Sequence, residues 1–162
     1  MAWKKQSHSV PTNTNRQANS IHDDSNSRVR SDEDAVVARW HRCDLTRPWN
    51  APRKDIARKR NVQAELFLVA VDESGLIGTV MAGFEGHRGW INYLTVDPSH
   101  RHRGLDRQLM SEAESRLHQF GCPKINLQVR EDNLDAITFY RHIGFAIDPV
   151  ASLGKRLISE NA

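Results

Sequence analysis

Three apolar runs follow one another between residues 66 and 96, and short glycine-bearing turns separate them. Leu66–Val71, Leu76–Phe84 and Trp90–Val96 are of strand length, and Glu73-Ser74-Gly75 and Gly86–Gly89 join them. Turns this short admit only antiparallel neighbours, because a parallel pair needs a crossover of a dozen residues or more. The sequence therefore predicts a meander. Its first run, Leu66–Val71, is apolar at every position.

Helical patterns precede and follow the meander in the chain. Ser31-Asp32-Glu33-Asp34 places a cap and acids before Val36, Val37, Trp40 and Cys43, which share one helical face. Thr46–Pro52, with two prolines, breaks this helix, and Lys54–Arg60 predicts a short basic one. After Asp97-Pro98, Leu105, Leu109, Ala113, Leu117 and Phe120 recur at helical spacing until Gly121. Lys124–Arg130 alternates like a strand. Asn133–His142 predicts a last helix with Ala136, Ile137, Tyr140 and Ile143 on its apolar side, and Phe145–Leu157 can hold one or two closing strands. This order predicts an α+β fold with a mixed, mostly antiparallel sheet flanked by helices.

Residues 1–31 differ from the rest. Seven apolar residues are scattered among Ser, Thr, Asn and Gln without a period, which predicts a disordered or atypical tail before a domain at 32–162. The tail carries five basic and two acidic residues, an excess equal to the net charge of +3 of the whole 162-residue chain; the domain balances 18 against 18. A nucleic-acid partner is disfavoured, because the basic stretches Arg53–Arg60 and His100–Arg107 lack interleaved aromatics or a recognised motif. No apolar stretch approaches the roughly 18 residues of a membrane span, and no h-region follows Met1. Cys43 and Cys122 read as reduced thiols of a cytoplasmic protein, and His100-x-His102 lacks the further ligands a metal site needs, so no metal is expected.

Most of the chemistry lies in Leu94–Arg107. A strand ends at Leu94-Thr95-Val96, the basic loop Ser99-His100-Arg101-His102-Arg103 follows, and a long helix starts after Gly104. A helix start offers unpaired N–H groups and a positive dipole end, which suit a phosphate. Arg101-x-x-Gly104-x-Asp106 resembles the R/Q-x-x-G-x-G/A signature of the GCN5-related N-acetyltransferases (GNAT). A second block, Asn133-x-x-Ala136-x-x-Phe139-Tyr140-x-x-x-Gly144-Phe145, is similar to that family's last helix and following strand. The resemblance covers roughly residues 32–157. Within the family the chain is most similar to the small bacterial members of the RimI and YpeA type, and Trp40–Leu45 and Leu153–Ile158 resemble the YpeA-like members in particular.

The resemblance implies a transfer of acetyl from acetyl-CoA to a primary amine, by direct attack through a tetrahedral intermediate. Leu94, Thr95 and Val96 would pair with the pantetheine arm by strand addition, with a backbone N–H near Leu94–Thr95 on the oxyanion. Arg101, His102, Arg103, Gly104, Leu105 and Asp106 would cradle the pyrophosphate. Asn133 would bind pantetheine while capping its helix. Tyr140, also against the cofactor, would be the catalytic proton donor to the departing thiolate. Family members often carry a glutamate where Trp90 or Gln128 stands here. Glu85, His87 and Glu131 lie nearby and read as solvated turn residues, so no general base is assigned. The break at Asp44–Asn50 falls where the family places its acceptor loop: Trp49 would wall a pocket or pack under the loop, and Arg47 would clamp a carboxylate. The acceptor, a small-molecule or protein amine, is not identified, and the molecule is expected as a monomer or homodimer.

Two departures stand out. Asp106 occupies a position where the family has Gly or Ala, which adds negative charge beside the pyrophosphate and is expected to weaken acetyl-CoA binding. With no base assigned, it also supports an alternative, an acetyl-CoA-binding or inactive regulatory module. The family also opens with a strand, and before Asp32 only Arg28-Val29-Arg30 offers one, so the first strand is expected to be degenerate or missing.

Overall fold

A computed structural model describes residues 19–23 and 33–158. The element order is β1 (Ser20–Asp23), α1 (Glu33–Arg42), α2 (Pro52–Arg60), β2 (Phe67–Asp72), β3 (Gly75–Phe84), β4 (Gly89–Val96), α3 (Leu105–Gln119), β5 (Ile125–Leu127) and α4 (Leu134–His142). The strands form one sheet in chain order, antiparallel from β1 to β4 and parallel between β4 and β5. This is the mixed, mostly antiparallel α+β architecture that the sequence predicts.

Helices lie on both faces, which explains the unbroken apolar run of β2. Phe67 and Val69 face α1 and α2, where they meet Val36, Val37, Trp40 and Ile56. Leu66, Leu68 and Ala70 face the other way, toward Leu105, Leu109, Met110, Ala113 and Leu117 of α3. Each fully buried Leu or Val contributes about 1.5–3 kcal/mol. Gly78 sets how closely α3 lies on the sheet: a Cβ there would stand 2.9 Å from Leu109 Cδ1 and 3.0 Å from the Thr95 carbonyl oxygen. A side chain at 78 would push the helix outward. Glycine thus lets α3 begin against the end of β4.

Two expectations are corrected. The first strand is present: Ser20–Asp23 pairs with Leu68–Val71, inside the segment assigned to a tail. Its one large apolar residue, Ile21, packs on the α3-side core, and Asp23 Oδ2 accepts from Arg116 Nη1 of α3 at 2.8 Å. Four residues with one apolar member show no local period, and the partner strand lies far along the chain. The closing strands, in contrast, do not form within the described residues 145–158. Pro149, which has no N–H to give a ladder, interrupts the segment, and Ile147, Val150, Leu153, Leu157 and Ile158 are exposed. Two polar links hold the segment near β5, Lys124 Nζ to Asp148 Oδ2 at 2.5 Å and Gln128 to Ser152.

Candidate active site

Strand β4 is irregular where it approaches α3. Met81 of β3 faces Asn92 and Thr79 faces Thr95, so Tyr93 and Leu94 stand opposite the single Val80. The extra residue makes a β-bulge, and Tyr93 adopts the left-handed φ of +53°. For an aromatic residue that conformation costs about 1–3 kcal/mol and persists only where its surroundings hold it. Asp97 N donates to the Ile77 carbonyl at 2.8 Å. Antiparallel alternation then turns Thr95 toward β3, and Leu94 and Val96 toward the opposite edge. On that edge β5 pairs only with Gly89–Ile91. Beyond Ile91 the β4 edge has no strand beside it among the described residues. It is long enough for an extended ligand arm.

The loop after β4 is tied down before it reaches the helix. Asp97 Oδ1 accepts from Ser99 N at 2.8 Å, and Oδ2 meets Arg42 Nη2 at 3.2 Å and the buried Arg39 of α1. Burial pulls the Arg39 guanidinium below its ordinary range. His100 Nε2 lies 2.9 Å from Asp72 Oδ2, on the turn between β2 and β3. From there the chain is exposed through Arg101, His102, Arg103 and Gly104, while Leu105 is buried and roots the helix. His102 and Gly104 have φ of +60° and +76°, and a Cβ on Gly104 would meet nothing within 4 Å. An open, basic cradle thus precedes the α3 N-terminus, and its shape and charge fit a pyrophosphate. Asp106, half-buried, turns its Oδ1 onto the N–H of Arg107 at 2.8 Å. The carboxylate therefore occupies one of the helix-start donors.

Asn133 caps α4, its Oδ1 accepting from Ala136 N at 3.2 Å. Tyr140, two residues before the end of α4, is half-buried against the α3-side core and packs edge-on with Phe139 and Phe145. Burial pushes its phenol up to about 12, so it is protonated at neutral pH. Tyr140 lines a cleft of 1460 Å³ beside β5, together with Trp90, Glu114, Gln128 and Glu131. The Arg101–Asp106 loop is not among the residues lining that cleft. Leu94 and Tyr140 each border the α3-side core, and the loop follows the C-terminal end of β4.

Other residues singled out from the sequence take structural roles. Glu85 closes the β3–β4 turn by accepting from His87 N and Arg88 N, and these bonds hold its carboxyl below the usual range. Arg47 is engaged in a fork with Asp44 at 2.6 and 3.1 Å. Trp49 is 54% exposed on the α1–α2 connection. Two groups escaped the sequence reading. Glu114, facing the cleft from α3, has its carboxyl raised by burial. Tyr93 looked like an ordinary strand residue, and no pattern in the chain announces the bulge it makes. Among the described residues no cluster of three metal-ligating side chains occurs.

Comparison with known proteins gives the class. Residues 35–145 match the Acetyltransferase (GNAT) family. An acetyltransferase of Pectobacterium atrosepticum is 47% identical over 131 residues, which is 81% of this chain and 93% of that protein. Among solved structures, Ard1 of Thermoplasma volcanium superimposes with a TM-score of 0.70 at 24% identity, covering 81% of this chain and 84% of the other. The aminoglycoside acetyltransferase AAC(6')-Iy, in complex with a bisubstrate analogue of CoA and acetylneamine, gives 0.66 at 18%, covering 86% and 99%. The last two likenesses concern the fold. The chain belongs to the GNAT acetyltransferase family.

Proposed function

We propose that this protein is an acetyl-CoA-dependent N-acetyltransferase acting on a primary amine. The observation that carries the reading is the bulged β4 edge, open beyond Ile91 and ending beside the α3 cradle. Leu94 and Val96 would pair with the pantetheine arm. Arg101, His102, Arg103, Gly104, Leu105 and Asp106 would surround the pyrophosphate, and Asn133 would add its side-chain amide. As the amine nitrogen bonds to the thioester carbon, the Leu94 N–H would stabilise the tetrahedral oxyanion. The C–S bond then breaks, and Tyr140 would give its proton to the thiolate, regaining one from the acetylated nitrogen through solvent. The family resemblance supports a bacterial subgroup of the RimI and YpeA type and a cytoplasmic site of action. Aminoglycoside and peptide amines, which the structural neighbours are solved with, are the first acceptors to test.

Asp106 favours a second reading, an acetyl-CoA-binding module with little turnover, because its carboxylate already holds the Arg107 N–H. At about 5 Å and an effective dielectric of about 20, one carboxylate opposes one phosphate charge by roughly 3 kcal/mol before screening. Calorimetric titration with acetyl-CoA, alongside release of free CoA thiol in the presence of kanamycin, spermidine and a peptide, separates the readings. Asp106→Gly is expected to bind acetyl-CoA roughly three- to thirtyfold more tightly. Tyr140→Phe is expected to bind it as wild type does and to lose roughly a hundredfold in kcat. Binding without thiol release across the panel would establish the module, and no binding would overturn both.

A further inference from the structure

Tyr93 is gripped at three points, each on a different element. Its ring stacks on Trp40 of α1 with centroids 3.8 Å apart and planes 9° from parallel. Its phenol donates to Asp55 Oδ2 of α2 at 2.7 Å. Its carbonyl accepts from Thr79 Oγ1 at 2.9 Å, and that hydroxyl accepts in turn from Trp40 Nε1 at 2.9 Å. Trp40 is fully buried, so it is a fixed platform rather than a mobile partner. Asp55 is itself steadied by Arg58 Nη1 at 3.0 Å on Oδ1.

Tyr93 is also the left-handed residue of the bulge, and the peptide leaving it carries the Leu94 N–H. A left-handed aromatic residue relaxes to an extended conformation unless something holds it. Relaxation would iron out the bulge and turn that N–H away from the open edge. The ring stack resists sliding but allows the ring to tilt. The phenol bond to Asp55 removes that freedom.

We propose that Asp55 and Tyr93 form a latch on the bulge, which makes Asp55 a positioning residue for acetyl transfer. It touches neither substrate; it acts by fixing the aim of the Leu94 N–H from the opposite face of the sheet. The inference rests on the proposed role of that N–H at the oxyanion. It also gives α2 a task that its basic surface does not reveal.

The test uses the full chain with Tyr93→Phe, Asp55→Ala, Asp55→Asn and the Tyr93→Phe/Asp55→Ala double variant. Tyr93→Phe keeps the stacked ring, and Asp55→Asn keeps an acceptor for the phenol. Steady-state rates with acetyl-CoA and the amine panel are measured beside the Leu94 amide resonance of protein labelled with 15N-leucine. Tyr93→Phe and Asp55→Ala are each expected to lower kcat roughly tenfold, with the acetyl-CoA KM within about twofold. The double variant should lose no more than either single one, because both cut one bond. Asp55→Asn should recover to within about threefold of wild type, and the Leu94 resonance should move in the same sense in every variant that cuts the bond. Unchanged kcat, or losses that add in the double variant, would overturn the latch. If wild type binds acetyl-CoA yet transfers nothing, the parent reading fails first, visibly and before any variant is made. The Leu94 resonance then decides alone, and its standing still in Tyr93→Phe overturns the latch.

Discussion

Lys59 is an unusual residue for its place, a lysine buried on the inner side of α2, with Nζ 3.9 Å from where a Cβ on Gly83 would stand. Burial lowers its ammonium to about 8, a fall that Glu65 partly opposes. The unfolded chain still binds that proton up to the ordinary lysine value of 10.5. Between these two values the unfolded state holds more protons, so stability from this group rises with pH across the window, and the penalty is fully present below 8. Lys59→Met is expected to stabilise the protein at pH 7 by about 1 kcal/mol, after discounting for partial solvent access. The gain should fade by about pH 11. Urea denaturation of both proteins at the two pH values measures it, and an equal gain at both would reject a charge origin. The same residue scale shows what a sequence can reveal of a site. Arg101, Gly104, Asn133 and Tyr140 stand in local motifs, which single them out as candidates. Tyr93 and Asp55 lie 38 residues apart, and their pairing depends on a bulge that no spacing encodes.

At the scale of elements, the meander was legible from strand-length apolar runs between short turns, and α1 and α3 from their apolar periods. β1 and the segment after α4 were not, for opposite reasons. Ile21 alone gives β1 no period, yet pairing to β2 and the Arg116–Asp23 ion pair hold it. Phe145–Leu157 alternates well enough, yet a strand exists only with a partner, and β5 stops pairing at Leu127. The placement of α3 bears on the proposed cofactor cradle, because its first turn lies against the end of β4. Gly78→Ala tests that placement. Its methyl would meet a backbone oxygen as well as Leu109, so the helix must yield. A cost of about 1–3 kcal/mol is expected in denaturant, with acetyl-CoA affinity falling in the protein that remains folded. Full affinity in a destabilised variant would uncouple the cradle from the seat of α3.

At the scale of the whole molecule, charge and exposed apolar surface are distributed unevenly. The excess of +3 lies in the first 31 residues, and 18 basic and 18 acidic residues balance over the rest. The basic character of the chain is therefore no guide to its partner, and the proposed function draws instead on the local charge before α3. Apolar surface gathers in the segment after α4, where Leu153 is 93% exposed in the cleft beside β5, an edge strand, and Leu157 is 86% exposed near Arg58 of α2. A second copy, or the segment itself, would find partners along that edge. In the free monomer, backbone bonds of this segment run from Phe145 N to the Tyr140 carbonyl at 3.0 Å and from Val150 N to the Asp148 carbonyl at 2.9 Å. Other amides between 146 and 158 are therefore expected to exchange with solvent nearly as fast as in an unstructured peptide, while those of β2 and β3 exchange only on global unfolding. Hydrogen exchange at several protein concentrations measures this. Protection that grows with concentration would mean that a second copy seats on β5. Protection at every concentration would mean that the segment folds back as the missing strand, walling the Tyr140 cleft and setting which amines can reach it.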